Sequence, residues 1–222
     1  MRLAAYILLA FILLLIYGSA VIAVFSSSTI PVTPTILIIS MLFNLAIMGS
    51  GAILVAYFLH GSWSKALDAM GFKRDGMIKA ILYGIVASLL FIFASSTVIE
   101  ITGYKERNPL AEEIGSSLNT YILIFLPILS ALSEETLFRG LIQMHLERKT
   151  GWIAAAIITS LMFSLAHLEY KAVIELIATF TFSLVLGYLI HATKNIASPL
   201  IAHFLYNFIA LLSFYLSALS EK

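Results

Sequence analysis

Seven apolar stretches constrain this chain more than any other feature. They run Leu3–Phe25, Thr35–Leu59, Met77–Ile99, Thr120–His145, Trp152–His167, Val173–Thr193 and Pro199–Leu219. Six contain 21–26 residues, and a membrane-spanning helix takes about 20. The fifth has 16, so it is expected to tilt, to stop inside the protein, or to continue past His167. Composition points the same way: 61% of residues are hydrophobic and 11% charged, whereas soluble domains run near half apolar and about a quarter charged. So few charges cannot cover the surface of a water-soluble domain, which argues against a soluble enzyme, a nucleic-acid binder or a disordered chain. The net charge of +1 gives no general attraction to polyanions, so no nucleic-acid partner is expected. Cysteine is absent, which removes disulfides, thiolate metal ligands and a cysteine nucleophile. The expected fold is an all-α, polytopic transmembrane helical bundle of about seven spans with a polar intramembrane cavity. Residues 1–222 form a single integral membrane domain in this reading, since no linker or internal repeat divides them.

The first stretch has features of a signal peptide: Arg2, an apolar run, and Gly18-Ser19-Ala20 as a cleavage-like site. Its apolar run continues through Val24 and Phe25, which favours a retained helix. With the N-terminus cytoplasmic, Arg2, Lys65, Lys73, Arg74, Lys79, Arg148, Lys149 and Lys194 lie inside, and Lys105, Arg107, Lys171 and Lys222 outside. Eight against four is the sense of the positive-inside rule, with Arg139 left within a span. A prokaryotic plasma membrane is the expected location. Residues 62–73 place Trp63, Leu67 and Met70 on one helical side, the pattern of an interfacial helix anchored by Trp63. Asn108–Leu118 is also amphipathic, with Glu112 and Glu113 on its polar side.

The informative residues are the polar ones inside the spans. The fourth span contains Ser133-Glu134-Glu135-Thr136-Leu137-Phe138-Arg139. A charge at the centre of a spanning helix costs about 2.5–3.5 kcal/mol on insertion scales, and such groups turn inward to a cavity or a partner. Glu135 and Arg139 are four apart, a good spacing for an intrahelical ion pair. Glu134 lies about 100° around the helix from Glu135, so it is left free to act as a base. The bland alternative is an ion-pair network that locks helices together. Pro127 removes a backbone donor within the same span and is expected to kink it.

The fifth span ends with Phe163 and His167 on one face, and the seventh presents His203 and Asn207 at the same i,i+4 spacing. Ser198 is expected to cap this last helix, with Pro199 as its first residue. Singly, these groups read as ordinary buried histidines or interhelical hydrogen bonds. As a set they offer a carboxylate, two imidazoles and an amide, enough to activate a water and stabilise an oxyanion. Glu134, His167 and His203 also fit a two-histidine, one-carboxylate metal site. No His-Glu-x-x-His, Gly-x-Ser-x-Gly, Gly-x-Gly-x-x-Gly or phosphate-binding loop is present. His60, His145 and His191 fall at span ends, where a polar tip reaches the interface without cost.

Glu134-Glu135-x-x-x-Arg139, Phe163-x-x-x-His167 and His203-x-x-x-Asn207 resemble, in order and spacing, the three motifs of the CPBP family. This is the CAAX protease and bacteriocin-processing (Abi) family of intramembrane endopeptidases, which includes the type II Ras-converting CAAX endopeptidase. The motif-bearing core covers residues 120–212. The resemblance implies that Glu134 and His167 activate the attacking water, that His203 and Asn207 form the oxyanion site, and that Glu135, Arg139 and Phe163 support it. It implies a peptide or protein substrate, prenylated or not, cut in a membrane-proximal or C-terminal segment within the lipid bilayer. It also implies a cavity open to the cytoplasmic side. The family has been discussed as metal-free and as metal-dependent. Asn207 is a poor zinc ligand and a good donor, which favours no cofactor, with zinc on Glu134, His167 and His203 as the alternative.

Full-length rigid spans would not bring His203, four residues past Pro199, level with His167. A broken or short helix over Leu168–Phe182, or spans of very unequal length, is expected to resolve this. Two other functions compete with the endopeptidase. One is a catalytically silent peptide- or lipid-binding protein of the bacteriocin self-immunity type. The other is a proton-coupled transporter with Glu134 and His167 as its relay.

Overall fold

The computed structural model of the chain describes residues 1–26, 32–103, 113–115 and 117–220, the last four by backbone alone. All regular structure among these residues is helical. Helix α1 is Arg2–Phe25, α2 is Pro34–Asn44 and α3 is Gly51–His60. A π-helical stretch, Leu45–Ser50, joins the last two into one span, Pro34–His60. Helix α4, Trp63–Ala69, is short, and α5 is Met77–Thr102. Helix α6, Thr120–Glu135, passes through a second π-helical stretch, Thr136–Gln143, into α7, Met144–Thr150. Helices α8, Trp152–Leu165, and α9, Val173–Thr193, are joined across a 3₁₀ turn at Leu168–Tyr170, and α10 is Ala197–Ser220. Among the described residues, seven helical segments are long and apolar enough to cross a membrane, so the fold is an all-α polytopic bundle.

The surface of the bundle carries its large apolar side chains outward, as lipid requires. Leu3, Leu14, Ile78, Phe93 and Ile101 are exposed, whereas Glu135, Arg139 and Gln143 are fully buried. The first helix is part of this packing. Its Ala5 and Ile12 belong to a core with Val55 of α3 and Leu137 and Phe138 of the second π-helical stretch, and Tyr17 donates to the Met162 carbonyl at 2.8 Å. Helix α10 runs along α5 at close range, because Gly84 presents no Cβ to the Ser198 carbonyl.

Local chemistry sets the helix ends. Thr33, Ser62 and Asn119 each accept a first-turn N–H, from Ile36, Lys65 and Ile122 respectively. The last helix starts earlier than its Ser-Pro pair suggests. Asn195 Oδ1 accepts the Ala197 N–H at 3.0 Å, while Ser198, expected to be the cap, lies inside the first turn and donates to the Asn195 carbonyl at 3.1 Å. Pro199 remains in that first turn, where its missing N–H is no loss.

The residue 62–73 segment forms α4 with Met70 buried, Leu67 half-buried, and Trp63 exposed and stacked on Tyr57 at 4.3 Å. Of the second amphipathic segment only Glu113–Gly115, Ser117 and Leu118 are described, and Glu112 lies outside the described residues. Helix α6 continues through Pro127, which is buried. The break expected over Leu168–Phe182 is confined to the turn before Val173, from which α9 is continuous. Unequal lengths do the rest: the span from Thr120 to Thr150 has 31 residues, and α8 has 14.

Candidate active site

The site is built on α6, the end of α8, and α10. Glu134 stands two residues before the second π-helical stretch, a change of winding that is common at functional sites. His167 follows α8 as the residue entering the 3₁₀ turn. The end of α8 is tied to α9 by Ser164, whose hydroxyl donates to the Leu176 carbonyl at 2.8 Å. His203 and Asn207 lie in the first half of α10.

These three elements bring the candidate groups to one point. Glu134 Oε2 lies 3.7 Å from His167 Nε2 and 4.0 Å from His203 Nε2. Both separations exceed a hydrogen bond, and this carboxylate oxygen has no hydrogen-bond partner within the protein. Each imidazole is held at its other nitrogen. His167 Nδ1–H donates to the Phe163 carbonyl at 2.8 Å, and His203 Nδ1–H donates to Glu135 Oε1 at 2.7 Å. Both Nε2 atoms are therefore turned toward Glu134.

Glu135 is not free to join them. Its Oε1 accepts from Arg139 Nη1 at 3.1 Å as well as from His203, and both Glu135 and Arg139 are fully buried. Arg139 Nη2 donates to the hydroxyl and carbonyl of Ser183, at 2.6 and 3.3 Å. One turn on, Gln143 donates to the Gly187 carbonyl at 2.8 Å. A Cβ on Gly187 would meet the Gln143 amide at 3.0 Å, so the glycine admits this contact. The guanidinium also lies over the Phe163 ring, 4.4 Å from its centre. Phe163 in turn packs against His167 and His203, with ring centres 4.7 and 5.8 Å away.

Asn207 Nδ2 donates to the Ser130 hydroxyl at 3.0 Å. That leaves the amide a second N–H, and Asn207 lines the same cavity as Glu134, His167 and His203. The cavity, of roughly 290 Å³, is also bounded by Ser130, Phe163, Glu169, Tyr170 and Glu175. Sequence reasoning assigned no role to Ser130, Gln143, Ser183, Glu169 or Glu175. Gln143 had a usable signal, being four residues beyond Arg139 on the same helical side, as Gly187 is four beyond Ser183.

Glu134, His167 and His203 are the side chains a divalent cation would use. Tetrahedral zinc with ligands about 2.0–2.1 Å away needs its donor atoms roughly 3.4 Å apart, closer than the separations here. Among the described residues no three His, Asp or Glu side chains form a ligand cluster. The arrangement as it stands suits a water held between a carboxylate and two imidazoles, with an amide donor nearby.

Comparison with known proteins agrees with the motif reading. Residues 116–209 match the family model of the type II CAAX prenyl endopeptidase Rce1-like proteins. The uncharacterized protein YpbD of Bacillus subtilis (strain 168) is 30% identical over 132 residues, covering 58% of this chain and 65% of YpbD. The chain thus spans just under two thirds of that relative's length. No solved structure gives a significant match. The motif-bearing region of this chain, residues 116–209, is thus similar to the Rce1-like type II CAAX prenyl endopeptidases, over just under half of the chain's length.

Proposed function

We propose that the protein is an intramembrane endopeptidase that hydrolyses a peptide bond with a water activated by Glu134 and His167. The observation that carries this reading is the convergence of His167 Nε2 and His203 Nε2 on the unpartnered Oε2 of Glu134 at the wall of one cavity. Glu134 takes a proton from water as its oxygen attacks the scissile carbonyl. The carbonyl oxygen becomes an oxyanion, which receives the Asn207 N–H not used by Ser130 and an N–H from His203 Nε2. Donation from that nitrogen requires an imidazolium, because Nδ1–H is already committed to Glu135. Glu135, next to Arg139, then balances two cations with one charge, and the Glu134 carboxylate completes neutrality. Collapse of the intermediate breaks the C–N bond, and the proton on Glu134 passes to the leaving amine.

A prenylated, CAAX-like peptide is the first substrate to try, on the family's printed description. The test is hydrolysis of a fluorogenic peptide by the purified protein in detergent, with prenylated and unprenylated forms compared. Cleavage at one defined bond supports the reading. Binding without cleavage of either form would favour the silent-binder alternative.

A further inference from the structure

We infer that the cavity opens on the non-cytoplasmic face of the membrane, so that the substrate is a polypeptide segment presented from outside the cytoplasm or from the outer half of the bilayer. The inference rests on the endopeptidase reading for its substrate and on independent observations for its direction.

The first observation is where the cavity runs. From Glu134 it is lined by Leu37 and Met41 of α2, Leu126 of α6, Thr179 of α9 and Phe214 of α10. In every one of these spans the lining residues lie toward the same end, the end where α2, α6 and α9 begin and α1 and α5 finish. Glu169 and Tyr170, from the turn joining α8 to α9 at that end, complete the mouth.

The second observation is that the opposite end is sealed. Asn195 Nδ2 donates to the carbonyls of Lys73 and Asp75, both at 3.0 Å, and Ile196 N–H donates to the Gly71 carbonyl at 2.9 Å. Arg148 donates to the Ala69 carbonyl at 3.1 Å, and Glu147 pairs with both His191 and Lys194. Helix α4 and these connections close the bundle over Met70 and Gly140.

The third observation is charge. The sealed end carries Arg2, Lys65, Lys73, Arg74, Lys79, Arg148, Lys149 and Lys194, whereas among the described residues the mouth end carries Lys171 alone. All connections counted are short, the condition under which Lys and Arg fix orientation. The sealed end is therefore cytoplasmic and the mouth faces outward. A cytoplasmic C-terminal tail would meet the closed side of the bundle, contrary to the cytoplasmic opening that the motifs imply by resemblance. Apolar walls at Leu37, Met41 and Leu126 suit an extended peptide with apolar residues flanking the scissile bond.

The chain has no cysteine, so one introduced thiol reports its own side. Thr120→Cys and Phe25→Cys place exposed thiols at the mouth end, and Ser64→Cys and Thr150→Cys at the sealed end. Spheroplasts expressing each variant are treated with a membrane-impermeant maleimide before and after lysis. Labelling of Thr120→Cys and Phe25→Cys in intact spheroplasts, with Ser64→Cys and Thr150→Cys labelled only after lysis, is expected. The reverse pattern, or equal labelling of both ends in intact spheroplasts, overturns the inference. Peptide hydrolysis by the same variants in detergent is measured in parallel. Its absence would remove the endopeptidase reading and leave the orientation result standing.

Discussion

His203 Nδ1 lies 2.7 Å from Glu135 Oε1, deep in the bundle and on the carboxylate that also holds Arg139. One oxygen thus fixes the tautomer and ring orientation of the histidine and anchors the guanidinium. The neighbouring carboxylate, Glu134, has its Oε2 without a hydrogen bond at the point toward which both imidazoles turn. Adjacent glutamates on one helix receive different surroundings because successive residues point about 100° apart.

Glu135→Gln is predicted to destabilise the protein. It strands Arg139 in the interior and weakens the hold on His203. Removing one partner from a buried ion pair costs about 3–5 kcal/mol. Thermal unfolding in detergent should shift clearly downward, and an unchanged Tm would contradict this role for the pair.

Asn207→Ala is predicted to lower kcat by roughly 10²–10³, the usual cost of one oxyanion donor, with little change in KM. Ser130→Ala should give a smaller fall in kcat, since it frees the amide to turn without removing it. Steady-state kinetics of the two variants separate the effects. A rise in KM alone would place Asn207 in substrate binding instead.

Gly84→Ala should loosen the contact between α5 and α10, because its Cβ falls against the Ser198 carbonyl and the Ala202 N–H. Overpacking of this kind costs about 1–3 kcal/mol. Gly18→Ala, where an added Cβ meets nothing within 4 Å, is the matched control. Melting curves that move equally for both would refute the close approach.

Much of this was legible in the sequence, for identifiable reasons. Length and apolarity locate the spans, because a bilayer imposes one requirement on every crossing segment. The i,i+4 spacing of Glu135 and Arg139 predicts their contact, because both lie on one helix. What the sequence could not supply is the relative depth of separate helices. The level of His203 depends on where α10 starts, and that is set by Asn195 reaching back to Lys73 and Asp75, more than a hundred residues away. The link from His203 to Glu135 depends on the same placement. The partnership of Arg139 with Ser183 requires α9 to lie beside α6, which no local pattern encodes.

Exhaustive chelation is expected to leave the wild-type protein active, and added zinc is expected not to rescue Asn207→Ala. Activity that disappears with chelator and returns with zinc would replace the metal-free mechanism with a zinc site on Glu134, His167 and His203. The peptidase assignment would survive that outcome.

The central claim is that Glu134 is the base. Its direct test is the rate of peptide hydrolysis by Glu134→Gln, purified in detergent beside the wild type, with thermal unfolding of both recorded. The substitution keeps the shape of the side chain and removes its ability to accept a proton. The expected result is loss of hydrolysis with an unchanged melting transition. Comparable turnover by the folded variant would contradict the account.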